Sequence, residues 1–180
     1  MIISLRGTSG SGKSTLVRKI TALYGDGGTP IHVDGRRKAY YTVHERDRGR
    51  ALVVPGHYEI ANGGIDTLPS LDAAYEIARI ADIEGHDVLM EGKNMSDGPP
   101  HALALWREGR DVRIVHVHEP LARCVDSVRR RGHAIAETTI EHVMHKCEKD
   151  AVTFRVMGMP YVQQAPRGRC LEIVREWLCL

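Results

Sequence analysis

The sequence has few aromatic residues, little net charge and no closely spaced cysteines. Of its 180 residues, 5% are aromatic, only one is phenylalanine, and the formal net charge is +2. So small a net charge gives no reason in itself to expect a nucleic-acid partner. The four cysteines are far apart and form no C-x-x-C pair, which argues against a zinc knuckle and predicts free thiols.

Long apolar runs are also missing. The first apolar run, Met1 to Leu5, leads directly into a glycine-rich segment, so we expect no signal peptide. No stretch approaches the roughly 20 apolar residues that a membrane-spanning helix needs, so we expect no membrane partner. The chain length predicts one domain over residues 1–180.

A phosphate-binding motif occupies residues 7–14, which read G-T-S-G-S-G-K-S and match the P-loop pattern G-x-x-x-x-G-K-[ST]. An apolar strand precedes it and a helical segment follows it. In this context backbone N–H groups form a nest for anions at the start of the helix. Lys13 is predicted to reach the β- and γ-phosphates, and the Ser14 hydroxyl to ligate Mg²⁺. The residues expected to hold the nucleotide here are Gly7, Thr8, Ser9, Gly10, Ser11, Gly12, Lys13, Ser14 and Thr15.

Short apolar strands alternate with helical segments along the rest of the chain. This order predicts an α/β P-loop NTPase fold, with a single parallel five-stranded sheet and helices on both faces in three layers. Ligands bind such sheets at the carboxyl ends of the strands. Gly7, Asp34, Glu91 and Glu119 each follow a predicted strand, so we expect them to face one crevice. Residues 36–50 are basic and show no clear period.

Two carboxylates at that edge are candidates for chemistry. Asp34 is placed to accept the proton of an alcohol acceptor, although a plain Asp-Gly turn is the alternative. Arg37 either holds a phosphate of the acceptor or is a solvated arginine. Glu91 ends a buried strand, where an unpaired charge is costly, so we expect it to support Mg²⁺.

Three arginines, residues 129–131, end a predicted helix before Gly132. Arginines at this place can close over a triphosphate and stabilise the transferring group, or they can complement the helix dipole. We predict a lid segment around 123–137, in which Arg131 is a catalytic clamp and Arg130 contacts the nucleotide.

Two glycine-rich polar segments, residues 56–59 and 63–67, follow another apolar strand. Such loops either fold over an acceptor or connect two elements in the ordinary way. In the first case His57, Tyr58 and Asp66 would bind the substrate.

With these residues in hand, the chain resembles the small P-loop kinases of the nucleotide and nucleoside kinase type. The likeness covers the P-loop, Asp34, residues 88–92 and residues 119–132. Asp34 with Arg37 is similar to the D-x-x-R pattern of polynucleotide kinases, in which the Asp is the base for a nucleic-acid hydroxyl and the Arg holds a neighbouring phosphate.

The glycine-rich segments look like those of phage-encoded kinases grouped near thymidylate kinase, and among these the 5-hydroxymethyluracil DNA kinases. The resemblance implies ATP as donor, Mg²⁺ as cofactor, DNA carrying a modified base as acceptor, and the host cytoplasm as location. The basic residues 36–50 would then hold the DNA backbone.

The chain also departs from these families. Ser127 stands where lid helices often carry an arginine, which leaves Arg131 the better spaced candidate. The D-R-[YFH] motif of thymidylate kinases is absent after Glu91, which is evidence against a plain monophosphate kinase. A kinase of small nucleosides, nucleotides or sugars, and a regulatory nucleotide-binding module without an acceptor, remain as alternatives.

Overall fold

The computed structural model describes residues 1–25, 27–33, 35, 40–58, 63–92 and 97–180. In chain order the elements are β1 (Ile2–Arg6), α1 (Lys13–Thr21), β2 (Thr29–Ile31), β3 (Tyr41–His44), β4 (Leu52–Pro55), α2 (Leu71–Ile83), β5 (Asp87–Glu91), α3 (Pro99–Arg107), β6 (Val112–Val117), α4 (Leu121–Arg130), α5 (Glu137–Val156), β7 (Val162–Ala165) and α6 (Arg167–Leu178). Short 3₁₀ turns cover Ala22–Tyr24 and Ile65–Thr67.

One sheet runs through the molecule in the order β2-β3-β4-β5-β1-β6-β7. Five of these strands, from β4 to β7 in that order, are mutually parallel. They form the expected parallel core, and the predicted α/β class is confirmed. The sheet is nevertheless mixed and has seven strands rather than five, because β2 and β3 add an antiparallel hairpin at one edge.

Strand β3 is the element that the sequence did not reveal. Its four residues lie within the basic stretch 36–50, and three of them are only partly buried. So short and exposed a segment has no periodicity of its own. It becomes a strand by pairing with β4, from Tyr41 opposite Pro55 to His44 opposite Leu52, so its structure depends on a tertiary contact.

Helices cover both faces of the sheet. On one face α1 and α6 bury a cluster that includes Leu16, Ile20 and Val174. On the other face α2, α3 and α5 bury a second cluster, which includes Phe154. The three-layer arrangement is confirmed. None of the described helices is both long enough and apolar enough to cross a bilayer.

The carboxyl ends of the parallel strands lie together at one end of the sheet, and the P-loop follows β1 there. Strand β2 runs in the same direction, because it is antiparallel to β3, which is antiparallel to β4. However, β2 lies four strands away from β1, a lateral separation of about 19 Å at the usual strand spacing. Asp34 and Arg37, in the sequence after β2, lie outside the described residues.

Candidate active site

A cavity of about 520 Å³ opens at the carboxyl ends of the parallel strands. Ten of the residues predicted for the site line it, namely Ser9, Gly10, Gly12, Lys13, Ser14, Thr15, Asp66, Glu91, Arg130 and Arg131. The structure therefore brings the P-loop, the strand-ending carboxylate and the end of α4 to one place. Six further lining residues were not among the predicted site residues, namely Arg18, Gly63, Ser127, His133, Ile135 and Arg167.

The P-loop wraps the start of α1 in the conformation that anion binding requires. Gly10 has a φ of 83°, and a Cβ at this position would overlap the backbone of Cys124. No acidic residue occupies the first turn of α1, so the positive end of the helix is available to phosphate. The Lys13 ammonium donates hydrogen bonds to the carbonyl oxygens of Gly7 at 2.8 Å and Thr8 at 3.1 Å. These bonds hold its charge in the loop.

Two predicted P-loop side chains face away from the cavity. The Thr8 hydroxyl is buried and donates to the carbonyl of Ile140 at 2.7 Å, which ties the loop to the start of α5. The Ser11 side chain is fully buried, and its backbone N–H bonds to Thr8. Gly7 is likewise not among the lining residues. These three residues therefore do not line the cavity, and they contribute to the conformation of the loop.

Ser14 and Glu91 meet although they are 77 positions apart in the chain. The Ser14 hydroxyl donates to Oε1 of Glu91 at 3.0 Å. Burial raises the pKa of Glu91 above its usual value, although the positive charge of Lys13 and the Ser14 hydrogen bond partly offset this. A carboxylate is thus held at the phosphate end of the cavity, at some cost in desolvation.

These two side chains fit a magnesium ion. Mg²⁺ prefers oxygen ligands and is commonly held by one or two carboxylates together with substrate phosphates. Oε2 of Glu91 is buried and makes no hydrogen bond within the described part of the chain. An unsatisfied carboxylate oxygen beside a serine hydroxyl, next to a phosphate nest, is the donor set that such an ion needs.

The end of α4 presents its arginines in different directions. Arg130 and Arg131 line the cavity, whereas Arg129 lies 3.9 Å from Glu137 in an exposed ion pair. Helix α4 packs against α5 in a small apolar cluster of its own, apart from the two main clusters. The predicted lid segment 123–137 covers most of α4 and the connection to α5, and its closing over a nucleotide stays a prediction.

Arg167 is a cation that the sequence did not single out. It is the first residue of α6, and its side chain lies over the P-loop, where a Cβ on Gly12 would collide with it. Glu119 fixes this arrangement by accepting the N–H of Arg167 at 2.9 Å. Glu119, expected to face the crevice, is not among the lining residues and instead caps α6. Only tertiary structure reveals this role for Arg167.

The two glycine-rich segments after β4 pack side by side. His57 pairs with Gly64 across a single antiparallel bridge, and Gly64 donates to the carbonyl of His57. The Thr67 hydroxyl accepts from the N–H of His57 at 3.3 Å and donates to the carbonyl of Gly64 at 2.7 Å. Asp66 thereby reaches the main cavity, whereas His57 and Tyr58 line a second cavity beside it.

Part of the basic stretch 36–50 lies far from the site. The loop between β3 and β4 turns at the amino ends of the parallel strands. There Arg46 donates to the carbonyl of Leu178 at 2.9 Å, and Arg50 lies 3.7 Å from Asp87 at the start of β5. These two residues lie at the opposite end of the strands from the cavity, because β3 carries the chain across the sheet. Contact between the basic stretch and a DNA backbone stays a prediction.

A buried ion pair joins the end of β1 to the chain that follows β5, next to the site. Arg6, the last residue of β1, donates to Oδ1 of Asp97 at 3.1 Å and to the Tyr75 hydroxyl at 2.9 Å. Another of its nitrogens donates to the carbonyl of Asp97 at 2.8 Å. The chain after Glu91 is thus anchored to the strand that leads into the P-loop. Breaking such a pair typically costs about 3–5 kcal/mol.

With this geometry in view, comparison with known proteins identifies the family. No protein-family model matches the sequence. A protein of Pseudomonas phage PaMx11 named 5-hmdU DNA kinase is 44% identical over 130 residues, which cover 72% of this chain and 68% of the phage protein. The chain belongs to the 5-hmdU DNA kinase family. It is therefore a kinase.

Solved structures of other kinases align over nearly the whole chain at low identity. A deoxyadenosine kinase from M. mycoides is 11% identical with a TM-score of 0.47, over 99% of both chains. A gluconokinase from Sinorhizobium meliloti 1021 is 16% identical with a TM-score of 0.43, over 98% of this chain and 89% of the other.

Proposed function

We propose that this kinase transfers the γ-phosphoryl group of ATP, with Mg²⁺, to the 5-hydroxymethyl group of 5-hydroxymethyluracil in DNA. The observation that carries the proposal is the 44% identity to a phage protein named 5-hmdU DNA kinase. The cavity supports it, because it joins a phosphate nest, two carboxylates and four arginines at the carboxyl ends of the parallel strands. Phosphoryl transfer depends on this kind of positioning and charge neutralisation.

The described contacts support the roles that we propose for the residues on the nucleotide side. The loop amides and Lys13 would hold the β- and γ-phosphates, with the Lys13 ammonium moving from the loop carbonyls to phosphate oxygens. Ser14 and Glu91 would hold the Mg²⁺ ion, which when bound neutralises charge on the phosphate oxygens. Arg131 would stabilise the charge on the transferring group, and Arg130 would contact the nucleotide.

On the acceptor side an alcohol has to lose a proton. The hydroxymethyl oxygen bonds to the γ-phosphorus, the bond to the β–γ bridging oxygen breaks, ADP leaves, and a carboxylate takes the hydroxyl proton. We propose that the Asp34 carboxylate accepts this proton and that Arg37 binds a neighbouring DNA phosphate. Asp66 is the other candidate, since it is the one carboxylate besides Glu91 among the described lining residues.

The acceptor base also has to leave the DNA stack. Extruding a base from a duplex costs a few kcal/mol, so single-stranded DNA should be the better substrate. Phosphate contacts made by residues such as Arg37 would weaken steeply with salt. Both ATP and replicating phage DNA are found in the cytoplasm of an infected host, where we place the reaction.

An acceptor screen tests the proposal. Radiolabelled ATP is supplied with a single-stranded oligonucleotide containing one 5-hydroxymethyluracil, the same oligonucleotide with thymine, the free hydroxymethylated nucleoside, and its monophosphate. We expect label in the hydroxymethylated oligonucleotide and none in the thymine control. Label confined to the nucleoside or monophosphate would instead identify a small-molecule kinase.

Two substitutions then identify the base. Asp34→Asn should lower kcat by about 10²–10⁴-fold, the usual contribution of a positioned base. Asp66→Asn serves as the matched variant and should change kcat by less than tenfold. The reverse ranking would assign the proton to Asp66.

A further inference from the structure

A second cavity lies beside the nucleotide cavity, on the face of the sheet that α1 covers. Its volume is about 350 Å³, within the usual range for small-ligand sites. Helix α1 contributes Val17 and Thr21 to its wall, and the β2–β3 hairpin contributes Pro30, Thr42 and His44. The hairpin that widens the sheet thus creates this space.

The residues that line this cavity favour a flat, uncharged ligand with hydrogen-bonding groups at its edge. None of the described residues lining the second cavity is Lys, Arg, Asp or Glu, so neither a phosphate nor a metal ion has a partner of opposite charge. Val17, Val54 and Pro30 offer apolar surface, and Thr42 offers a hydroxyl. Apolar walls with a few hydrogen-bonding groups suit a nucleobase.

One buried polar group in this wall lacks a partner. His44 is only 7% exposed, and its Nδ1 makes no hydrogen bond within the described part of the chain. The ring lies under the turn at Gly28, where an added Cβ would collide with it. Burial lowers the pKa of His44, so at neutral pH the imidazole is uncharged and has one nitrogen that accepts and one that donates. Either suits the edge of a base.

Tyr58 connects the two cavities. It lines the second cavity, and its hydroxyl is buried on the side of Glu91: that hydroxyl and Oε2 of Glu91 both lie within 3.5 Å of the point where Gly64 would carry a Cβ. Arg18, which lines the nucleotide cavity, donates to the Tyr58 carbonyl at 3.2 Å. A cation therefore marks the boundary between the cavities, where a phosphodiester joining two nucleotides would pass.

We propose that the second cavity holds the base adjacent to the acceptor base on the same DNA strand. This rests on the proposed function and adds to it: the enzyme reads a dinucleotide unit, with the acceptor at the nucleotide cavity and its neighbour between α1 and the hairpin. A free nucleoside has no group to place there.

The first test uses the wild-type enzyme and altered DNA. Single-stranded pentamers carry a central 5-hydroxymethyluracil, and the base on its 5′ or 3′ side is replaced by an abasic residue. Loss of the base on one side should raise KM about tenfold, within the range that single base–protein stacks supply, with little change in kcat. Equal KM values for all three pentamers, while the intact pentamer is phosphorylated, would overturn this proposal and leave the proposed function standing.

The second test fills the cavity. Thr42→Phe places an aromatic ring in the wall of a partly exposed strand, and Thr29→Phe is the matched control on β2, since Thr29 is exposed and does not line the cavity. Thr42→Phe should raise KM about tenfold for the intact pentamer and leave KM unchanged for the sensitive abasic pentamer and the free nucleoside. A KM increase of equal size on the abasic pentamer would place the effect elsewhere and refute the proposal.

A binding measurement separates failure of this proposal from failure of the proposed function. Fluorescence anisotropy of labelled thymidine pentamers, intact or abasic at one position, reports binding without turnover. If no hydroxymethylated DNA is phosphorylated, the proposed function fails. Weaker binding of the abasic pentamer to wild type, but not to Thr42→Phe, would still support a base in the second cavity. Identical binding of both pentamers would overturn it.

Discussion

The nucleotide side of the active site and its acceptor side are built from different kinds of segment. On the nucleotide side one continuous segment, the P-loop and the start of α1, supplies six of the sixteen lining residues, and its polar groups bond to one another and to Glu91. The proposed acceptor side would draw on the β2–β3 hairpin and on the segments that follow β4 and β5, which are distant in sequence.

This difference has a functional consequence. The charged residues on the nucleotide side line one cavity and are proposed to surround the phosphates of ATP, so changing any of them should affect transfer to every acceptor. The acceptor side touches only one class of substrate, so its variants should change KM for DNA and leave the nucleotide unaffected. Substitutions on the nucleotide side should therefore cause larger losses of activity, with every acceptor, whereas those on the acceptor side should cause smaller changes confined to KM for DNA.

Among the residues of the nucleotide side, the largest effect is expected at Lys13. Lys13→Met removes the ammonium that the loop carbonyls of Gly7 and Thr8 hold at the phosphate nest. We expect kcat to fall about 10³-fold, because a single charge-stabilising donor in a preorganised site is worth about 10²–10³. Steady-state phosphorylation assays with Lys19→Met, an exposed lysine on the same helix, provide the control. A loss below tenfold would mean that the loop does not hold the transferred phosphate.

Glu91 comes next, with opposite effects on activity and stability. Glu91→Gln should lower kcat/KM about 10²-fold and raise the Mg²⁺ concentration needed for half-maximal rate, because a neutral amide is a poorer ligand. Glu108→Gln, on an exposed helix end, should change neither quantity. A lowered rate with an unchanged Mg²⁺ dependence would move Glu91 away from the metal.

The same substitution should stabilise the protein without nucleotide at neutral pH. Burial raises the pKa of Glu91 in the folded chain, so folding favours the protonated carboxyl. Stability from this group is then complete below the unfolded pKa, about 4.3, and is lost as pH rises through the folded pKa. Thermal unfolding of Glu91→Gln should occur at a higher temperature than wild type at pH 7, and the difference should vanish near pH 4. A less stable variant at pH 7 would contradict this.

The arginines at the end of α4 test the lid. Arg131→Ala should lower kcat about 50-fold, less than a buried donor would cost because Arg131 is exposed, and Arg130→Ala should mainly raise KM for ATP. Arg129→Ala is the matched control, since it removes only an exposed ion pair with Glu137, worth less than about 1 kcal/mol. Equal losses for all three would indicate a general effect of charge on the helix.

The two sides also differ in how far the sequence could predict them. The P-loop motif sets backbone conformation, charge and helix start within eight residues, so spacing alone predicts that Lys13 and Ser14 line the cavity, as they do. The sequence also predicts that Glu91 lies there, because an acidic residue at the end of a buried strand needs a partner. In both cases the physical reason lies in neighbouring residues.

The other contacts depend on packing between distant segments. Arg167 reaches the P-loop from the first turn of α6, where Glu119 accepts its backbone N–H, and no local pattern predicts that contact. Likewise β3 forms by pairing with β4, and its presence sends Arg46 and Arg50 to the opposite edge of the sheet. A run of basic residues therefore says nothing about which of them share a surface until the strand between them is known.

The smallest effect is expected for single arginine substitutions in that basic run, where Arg37 and Arg48 should differ in their effect on the salt dependence of KM. Arg37 is proposed to contact DNA phosphate, whereas Arg48 is exposed on the loop at the opposite edge. For a single-stranded hydroxymethylated oligonucleotide, Arg37→Gln should raise KM a few-fold and lower the slope of log KM against log salt by about 0.7, the value of one released counterion. Arg48→Gln removes the same charge and should leave the slope unchanged. If both variants lower the slope equally, the DNA strand extends across the hairpin to the far edge, and the acceptor surface is larger than the sheet topology implies.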